Sequence, residues 1–254
     1  MTKEGLNKYL ARIRFNGNPA VDLSTLKELQ RQHLLNIPFE NLDIHLHKYI
    51  TINVDNFYDK IVTRKRGGFC YELNGLFNEL LTSIGFKTVL VSARGFSTPE
   101  KYGDEFDHLT VLVFIAKEKW LADVGFGEFS SFPLKVITDQ LQSDNRGTFR
   151  MAKFDETYFV VQKQTPNNTW KNEYLFSEKP RNILEFAGKC NYHQTSPDSH
   201  FTQKKLCSIA TETGRVTLTD KALKVTDDNN IVETEIPDFN EFKINLLKHF
   251  SIAI

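Results

Sequence analysis

The sequence has few cysteines, no long apolar run and no leader-like N-terminus. Only three cysteines occur among the 254 residues, at Cys70, Cys190 and Cys207, and this odd, widely spaced set does not form a disulfide framework. No stretch approaches eighteen consecutive apolar residues, so no membrane span is expected. Residues 1–5 lack the apolar segment of a secretory signal. These absences predict a cytoplasmic protein with reduced thiols.

An excess of charge of either sign is also missing, since Lys plus Arg and Asp plus Glu each number 32. A chain of zero net charge has no general attraction for nucleic acid or for an anionic membrane surface. Its longest basic cluster, at residues 64–66, is shorter than a nucleic-acid-binding stripe. We therefore expect neither nucleic acid nor a membrane as a partner.

Motifs for metals and nucleotides are absent too. The sequence has no Cys-x-x-Cys or His-Glu-x-x-His spacing for zinc, and no glycine pattern of the Rossmann or P-loop kind. The pair His45 and His47 lacks an evident third ligand, so both are interpreted as surface histidines. We expect no metal site.

The order of the predicted elements is typical of an α+β fold. Residues 1–85 have mainly helical patterns, of which the strongest is an apolar stripe over residues 73–84 that ends at Gly85. Ser24 is the predicted N-cap of an earlier helix that starts near Thr25. A last helix is predicted near residues 239–249. Beyond Gly85 the apolar period changes from 3.6 to 2, which predicts strands at 87–94, 108–115, 120–124, 148–154, 158–163, 173–176, 206–211, 215–219 and 224–226.

The segment Arg-Gly-Gly-Phe-Cys, residues 66–70, stands at the start of the strongest helix. Its two glycines predict a tight turn, and Cys70 then falls in the first helical turn. Free backbone N–H groups and the helix dipole there favour an anion, so a thiolate would be stabilised and the pKa of the cysteine lowered. The same N–H groups could hold an oxyanion. An inert, buried cysteine is the alternative.

A nucleophilic cysteine needs a base and a group that orients the base. His108 opens one predicted strand and Asp123 closes the next, and the two strands are natural hairpin partners. If the turn centres on Ala116 and Lys117, His108 and Asp123 share a face as a diagonal pair within reach of each other. If the turn lies one residue later, they face opposite sides of the sheet. Both registers are open from the sequence, and Asp123 could be only a turn residue.

Three segments of the chain resemble the signature segments of the arylamine N-acetyltransferases. They are Arg-Gly-Gly-Phe-Cys at 66–70, Phe-Asp-His-Leu-Thr-Val at 106–111 and Ala-Asp-Val-Gly-Phe-Gly at 122–127. The resemblance extends to Tyr-Leu-Ala-Arg-Ile at 9–13, Ile-Pro-Phe-Glu-Asn-Leu at 37–42, the stretch 191–201 around Thr-Ser-Pro, and Gly-Arg-Val-Thr-Leu at 214–218. It covers nearly the whole chain in order, although the C-terminus is shorter than in many members of the family.

The resemblance implies a three-part α+β fold. The parts would be an N-terminal helical domain over 1–85, a central antiparallel β-barrel over 86–190 and a C-terminal α/β lid over 191–254. The first two parts would share the core of papain-like cysteine enzymes and transglutaminases. The helical domain would carry Cys70, and the barrel would carry His108 and Asp123.

The implied reaction is ping-pong transfer of an acetyl group from acetyl-CoA to an arylamine, an arylhydrazine or an N-hydroxyarylamine, a reaction of xenobiotic metabolism. Cys70 would be the acetylated nucleophile, His108 would take up its proton, and Asp123 would fix the imidazole tautomer. Acetyl-CoA would serve as the acyl donor, and no metal would take part. The oligomeric state is not predicted.

Other residues of the matched segments have implied supporting roles. Phe39, Phe69, Gly125, Phe126, Gly127 and Phe129 are expected to line the substrate or CoA site, although each phenylalanine could equally be packed in the core. The two glycines, Gly125 and Gly127, would let the pantetheine arm approach the backbone closely. Arg12, Glu40 and Arg66 are expected to form a charged cluster buried near the site, with a surface ion pair as the alternative.

Two other functions stay open. A cysteine hydrolase or an amide-forming acyltransferase could use the same core, with water or another acyl donor in place of one substrate. A catalytically silent domain could keep the fold for binding aromatic ligands. Binding alone, however, does not require Cys70, His108 and Asp123 together.

Overall fold

Helices make up most of the N-terminal third of the protein. The computed structural model describes residues 1–127, 129–228 and 230–254. The helical segments before the first long strand are α1 Lys3–Arg12, α2 Leu23–Asn36, α3 Leu42–His45, α4 Val54–Tyr58, a π-helical turn Asp59–Thr63 and α5 Cys70–Ile84. Within the described ranges, every helix falls short of the length and apolar character that a membrane span requires.

Helix α5 forms the centre of the N-terminal core, and its predicted apolar stripe is confirmed. The stripe residues Leu73, Leu76, Phe77, Leu80 and Leu81 are fully buried. The helix ends at Gly85, whose φ of +112° lies in the left-handed region that favours glycine. Each buried side chain of this size contributes roughly 1.5–3 kcal/mol when it is removed from water. Tertiary packing therefore stabilises α5 more than its intrinsic propensity does.

Helix α2 begins two residues before its predicted start. Its N-cap is Asp22, which has an extended backbone and accepts a hydrogen bond from the Thr25 N–H at 2.8 Å. The predicted N-cap, Ser24, lies inside the helix, so that prediction is wrong. A carboxylate also meets the positive end of the helix dipole, which favours Asp22 over the neutral Ser24.

The central part of the chain is a nearly closed antiparallel barrel, as predicted. Its strands, in sheet order, are β5 Leu134–Lys135, β4 Glu118–Ala122, β3 His108–Ile115, β2 Lys87–Gly95, β9 Trp170–Ser177, β8 Tyr158–Gln164, β7 Gly147–Lys153 and β6 Gln142–Asp144. The two edge strands meet where the Gln142 side chain bonds the main-chain N–H and carbonyl of Lys135, at 2.7 and 3.0 Å. Apolar side chains such as Leu112 and Phe149 fill the inside.

The C-terminal part is a five-stranded antiparallel sheet with a helix packed on it. The strands, in sheet order, are β1 Phe39–Glu40, β10 Leu206–Ala210, β11 Gly214–Thr219, β12 Ala222–Asp227 and β13 Asn230–Glu235, and the helix is α8 Phe239–Phe250. Phe242 and Leu246 of α8 belong to the same buried cluster as Leu218 of β11. Strand β1, which pairs with β10, comes from the N-terminal part, so this sheet ties the first and last parts of the chain together.

Short helices connect the barrel to the C-terminal sheet. They are a 3₁₀ turn Ile183–Phe186, α6 Ala187–Thr195 and α7 His200–Gln203. The predicted boundary between residues 190 and 191 falls inside α6, whereas the predicted boundary after residue 85 follows the end of α5. The division of the chain into three domains stays a prediction.

His33, on α2, is a buried titratable group of the N-terminal core. Its ring is fully buried between the rings of Tyr9 and Phe77, at centroid distances of 6.0 and 5.4 Å. Neither ring nitrogen has a hydrogen-bond partner within the described part of the chain. Burial, helped by the charge of Arg12, lowers the pKa of His33 to about 3. The imidazole is therefore neutral in the folded protein until strongly acid pH.

Replacing His33 by Leu should make the fold less sensitive to acid. The unfolded chain takes up a proton at this histidine as the pH falls below about 6.5, whereas the folded chain does so only near pH 3. Stability is thus lost as the pH falls through this window, by roughly 3 kcal/mol between pH 7 and pH 4. Urea unfolding at both pH values should show a loss smaller by about this amount in H33L.

The control for this experiment is H47N, which removes an exposed histidine and should leave the acid-induced loss unchanged. Equal losses in wild type and H33L would contradict the description of His33 as a buried neutral group.

Candidate active site

Cys70 and His108 line one cavity. Cys70 is the first residue of α5 and His108 the first residue of β3, and the cavity between the helical part, the barrel and the C-terminal sheet has a volume of about 930 Å³. Cys70 is 3% exposed and His108 is 5% exposed, so both are shielded from bulk solvent. The fold therefore brings the predicted nucleophile and the predicted base to the same cavity.

Two glycines position the cysteine by letting the chain pass close to its neighbours. A Cβ on Gly67 would lie 2.0 Å from the carbonyl oxygen of Pro38, and one on Gly68 would lie 2.8 Å from the Glu72 side chain. The Glu72 carboxylate accepts the Phe69 N–H at 3.1 Å and so ties the glycine segment to the first turn of α5. The predicted tight turn is wrong, because Gly68 forms a β-bridge with Phe39 and its carbonyl oxygen accepts the Glu40 N–H at 2.9 Å. Close packing on both sides is what requires the two glycines.

The β3–β4 hairpin has the register that places His108 and Asp123 on one face. Ile115 pairs with Glu118, so the turn consists of residues 116 and 117. The first of the two registers left open by the sequence is therefore the observed one. Across this diagonal, Nε2 of His108 lies 2.7 Å from Oδ2 of Asp123.

Asp123 is fully buried, and several donors converge on its carboxylate. Besides the His108 ring, they are the Asn74 side-chain amide at 2.8 Å, the Tyr174 hydroxyl at 3.1 Å and the N–H groups of Gly125 and Phe126 at 2.9 and 3.1 Å. Burial acts to raise the pKa of Asp123, but the charge of His108 and the hydrogen bonds outweigh it, so the pKa is lowered. The carboxylate is therefore ionised and fixed in place.

Asn74 and Tyr174 were not among the predicted site residues. Asn74 lies four residues after Cys70 on α5, donates to the Leu109 carbonyl at 2.6 Å and accepts the Val124 N–H at 2.9 Å. A polar residue on the same helix face as Cys70 was a usable signal in the sequence. Tyr174 gave no such signal, because its strand, β9, is far from the matched segments.

The surroundings of Cys70 correct the predicted acidity of its thiol. Burial raises the pKa of Cys70 well above its ordinary value, the charges of Asp107 and Asp123 add to this effect, and a hydrogen bond from the Leu109 backbone opposes it only in part. The prediction that the helix N-terminus lowers this pKa is therefore wrong. An isolated thiolate is unfavourable here, so the sulfur needs a nearby base that takes up its proton.

Four of the residues expected to line a substrate or CoA site do line the cavity. They are Phe39, Gly125, Phe126 and Gly127. Phe69 is instead fully buried, and its ring packs edge-on against Tyr71 at 5.0 Å. Phe129 is packed inside the barrel, where its ring stacks on Tyr174 at 6.0 Å. Phe69 and Phe129 are therefore core residues, which was the alternative stated for each phenylalanine.

Gly125 and Gly127 meet different needs. A Cβ on Gly125 would lie 2.8 Å from the Cα of Cys70 and 2.8 Å from the side-chain nitrogen of Asn74, so this glycine lets the barrel pack against α5. A Cβ on Gly127 would meet nothing within 4 Å in the described residues. Space for a ligand beside the backbone, expected at both glycines, is therefore present at Gly127, whereas protein atoms fill it at Gly125.

The charged cluster includes the expected Glu40 and Arg66, and it is buried. Arg66 contacts Glu40 at 2.7 Å and Asp43 at 3.1 Å, and Lys60 contacts Asp43 at 2.9 Å and Glu72 at 3.0 Å. All five residues are less than 10% exposed, so the surface alternative does not hold. Burial raises the pKa of Glu72 to about 7, although the charge of Lys60 acts in the opposite direction.

Arg12 lies beside this cluster, and its guanidinium bonds backbone carbonyls. It donates to the carbonyl oxygens of Asn36 at 2.5 Å, Ile61 at 3.1 Å and Arg66 at 3.3 Å. Asn36 is the last residue of α2, and a cation there meets the negative end of the helix dipole. Arg12, expected as a member of the charged cluster, thus caps the end of a helix beside it.

The far side of the cavity is lined by residues that were not predicted. They come from the segment between β2 and β3, from α6 and α7 and from the C-terminal sheet: Phe96, Tyr102, Asp104, Asp107, Lys189, His193, His200, Phe201 and Arg215. Five of them, Asp107, His193, His200, Phe201 and Arg215, lie in segments that carry the family resemblance. Long-range packing brings the set together, and no local pattern indicates it.

Comparison with known proteins agrees with this geometry. A family model described as N-acetyltransferase matches residues 22–254. The chain is 33% identical to the arylamine N-acetyltransferase pineal gland isozyme NAT-3 of Gallus gallus, over 98% of this chain and 94% of that protein. The structure of arylamine N-acetyltransferase from Salmonella typhimurium matches with a TM-score of 0.92 at 27% identity, over 99% of this chain and 92% of that chain. The chain belongs to the arylamine N-acetyltransferase family.

A third comparison concerns the carboxylate. An arylamine N-acetyltransferase structure from Bacillus cereus shares the fold with a TM-score of 0.91 at 22% identity, over 100% of both chains, and is described as having a unique Cys-His-Glu catalytic triad. In the present chain, the carboxylate that bonds the His108 ring is the aspartate Asp123.

Replacing Arg66 by Leu should strongly destabilise the protein, because the carboxylates of Glu40 and Asp43 would lose a buried counter-charge. Removing one partner of a buried ion pair costs about 3–5 kcal/mol. The matched control is R64L, which breaks an exposed pair with Asp59 and should change stability little. Urea unfolding measures both effects, and similar stabilities of R66L and R64L would contradict a structural role for the buried cluster.

Proposed function

We propose that this protein transfers an acetyl group from acetyl-CoA to arylamines, arylhydrazines and N-hydroxyarylamines through an acetyl-Cys70 thioester. The observation that carries the proposal is the shared cavity, which Cys70 and His108 both line and in which the Nε2 of His108 lies 2.7 Å from Asp123. Family membership supports the same class of reaction. Cys70, His108 and Asp123 would act together as a catalytic triad.

In the first half-reaction Cys70 acts as the nucleophile and His108 as the base. Since Nε2 of His108 bonds Asp123, Nδ1 is the ring nitrogen that takes the proton of the sulfur. The thiolate attacks the carbonyl carbon of the acetyl group, a new C–S bond forms, and the C–S bond to CoA breaks. CoA leaves as a thiolate and takes the proton from His108, which returns the imidazole to its neutral form.

In the second half-reaction an amine takes the place of CoA. Its nitrogen attacks the carbonyl carbon of acetyl-Cys70, and the C–S bond to Cys70 breaks. His108 takes a proton from the amine nitrogen and returns it to the sulfur. The products are the N-acetylated amine and the original thiol, so one base serves both halves of a ping-pong sequence.

The raised pKa of Cys70 is consistent with Cys70 as the nucleophile and His108 as the base that takes up its proton. A lone thiolate is unfavourable in the buried cavity, whereas a thiolate beside an imidazolium is paired with an opposite charge. Asp123 adds a fixed negative charge that stabilises the imidazolium. Transfer of the Cys70 proton to His108, and not its release to solvent, is therefore the proposed route to the nucleophile.

The cavity suits an uncharged aromatic substrate close to the cysteine. Phe39 and Phe126 line it, and the Phe126 ring packs edge-on against the His108 ring at 5.4 Å. Arylamines are weak bases and are largely neutral at pH 7, so aromatic walls favour them more than charged walls would. The open space beside Gly127 offers a path for the pantetheine arm of CoA. The proposed partners are thus small molecules.

The cytoplasm is the proposed location, because free thiols stay reduced in that compartment. Cys70, Cys190 and Cys207 are all free and buried, which supports this assignment. Burial raises the pKa of Cys190 to about 12, so this second thiol stays protonated at neutral pH.

Incubation with acetyl-CoA in the absence of an amine should add one acetyl group to Cys70. Intact mass and peptide mapping measure the adduct, which an added arylamine should discharge with formation of the N-acetylated amine. C70A is the control and should gain no mass. An adduct that water removes as fast as the amine does would indicate a hydrolase, and no adduct at all would indicate a binding domain. Either result would contradict the proposal.

Replacing Asp123 by Asn should slow the acetylation of Cys70 by about 10²–10⁴-fold, because His108 loses the carboxylate that fixes its tautomer and stabilises its charged form. Time-resolved mass measurement gives the rate. D55N, which changes an exposed carboxylate at the start of α4, is the control and should react like wild type. An unchanged rate in D123N would mean that another group orients His108.

A further inference from the structure

A second histidine–carboxylate pair lies in the cavity beside the proposed triad. His193, on α6, is 3% exposed, and its Nε2 lies 3.2 Å from Oδ1 of Asp107. Asp107 directly precedes His108 in the chain, and all three residues line the cavity together with Cys70. His193 and Asp107 are named the auxiliary pair below. The two half-reactions proposed above make no use of it.

Close packing holds the carboxylate of Asp107 at this place. A Cβ on Gly103 would lie 2.5 Å from Oδ2 of Asp107, so a larger residue there would displace the carboxylate. The hydroxyl of Tyr71, which directly follows Cys70, donates to the carbonyl oxygen of Asp107 at 3.2 Å. The backbone of Asp107 is thus tied to the first turn of α5.

Hydrogen bonds at the other ring nitrogen orient His193. Its Nδ1 lies 3.2 Å from the Ser199 hydroxyl, which donates its own proton to the His193 carbonyl and accepts the Phe201 N–H. The hydroxyl therefore presents a lone pair to Nδ1, so Nδ1 carries a hydrogen. Nε2 is the atom that faces Asp107, and the ring becomes an imidazolium when Nε2 also binds a proton.

The charge of Asp107 acts against ionisation of the nucleophile. After burial, Asp107 is the largest influence that raises the pKa of the Cys70 thiol. Burial acts to raise the pKa of Asp107 as well, but the close contact with His193 and the charges of His193 and Lys189 outweigh it, so Asp107 is ionised. A protonated His193 at 3.2 Å offsets this carboxylate, whereas an uncharged residue in its place would leave it only the more distant Lys189 at 3.9 Å.

Other titratable groups face the auxiliary pair from each element packed against it. They are Lys189 and Tyr192 on α6, His200 on α7, Cys70 and Tyr71 on α5, His108 on β3 and Asp104 in the segment before β3. Lys189 lies 3.9 Å from Asp107 but bonds Asp104 at 2.8 Å. In the described residues His193 is the closest ion-pair partner of Asp107.

We propose that His193 is a positioning residue for the reaction of Cys70. By pairing with Asp107 it offsets the charge of that carboxylate and makes transfer of the Cys70 proton to His108 easier. The consequence for acetyl transfer rests on the proposed function, while the consequence for thiol reactivity does not. The effect is greatest at pH values where little of the Cys70 thiol is ionised, and it fades where the thiol is fully ionised.

Alkylation of Cys70 by iodoacetamide, followed by peptide mass spectrometry from about pH 5 to about pH 9, tests the proposal. H193Q should react about tenfold more slowly than wild type below neutral pH, the change that one pKa unit produces, and the two rates should converge at high pH. D107N should react at least as fast as wild type. D107N/H193Q should match D107N, because the charge that His193 offsets is then absent.

Cys190 and Cys207 serve as internal references, and thermal unfolding shows whether each variant folds. Equal Cys70 rates in wild type and H193Q at every pH would overturn the proposal. Slow alkylation in both H193Q and the double variant would also overturn it. In that case the loss of His193 would slow the reaction by disturbing the packing, which removal of the Asp107 charge does not repair. If H193Q does not fold, D107N decides alone: a rate at or above that of wild type supports the proposal, and a lower rate overturns it.

The same samples separate this inference from the proposed function. Wild type that is not acetylated by acetyl-CoA, but shows the expected alkylation pattern across the variants, would contradict the proposed function and leave the role of His193 in thiol reactivity supported.

Discussion

The hydrogen bond between His108 and Asp123 is the contact on which the site depends. It joins two strands of the barrel, and the same carboxylate accepts hydrogen bonds from Asn74 of α5 and Tyr174 of β9. A buried carboxylate without donors would be strongly unfavourable, so the helix, the hairpin and β9 are held in one arrangement around it. The contact also decides which ring nitrogen of His108 is available to the sulfur.

A second constraint, the close passage of Gly67 and Gly68 beside β1, sets the position of the cysteine. Gly67 lies against the Pro38 carbonyl, and Arg66 and Lys60 form buried ion pairs with the carboxylates on both sides of this glycine segment. Strand β1 also pairs with the C-terminal sheet, so the same short strand supports the glycine segment and closes one side of the cavity. The site therefore requires all three parts of the chain, which accounts for family resemblance spread along its whole length.

Sequence patterns predicted the elements of this fold better than their assembly. Helix α5 and the main barrel strands carry clear periodicities, and the structure confirms them. Strand β1, Phe39–Glu40, is too short to show a period, and β13, Asn230–Glu235, is exposed throughout and has no apolar face. The register of the β3–β4 hairpin was left open, because a shift of its turn by one residue moves Asp123 to the other face of the sheet and no sequence pattern excludes that shift. The thiol acidity of Cys70 was predicted wrongly because burial and the charge of Asp107 outweigh the local effect of a helix start.

The sulfur of Cys70 is proposed to give its proton to the His108 ring and not to water, and the ultraviolet absorbance of the thiolate tests this most directly. The difference in absorbance between wild type and C70S, measured across pH, reports the ionised sulfur alone. We predict a thiolate signal at neutral pH in wild type that is lost in H108N. A signal in H108N equal to that of wild type would show that the sulfur ionises without the histidine and would contradict the proposed route.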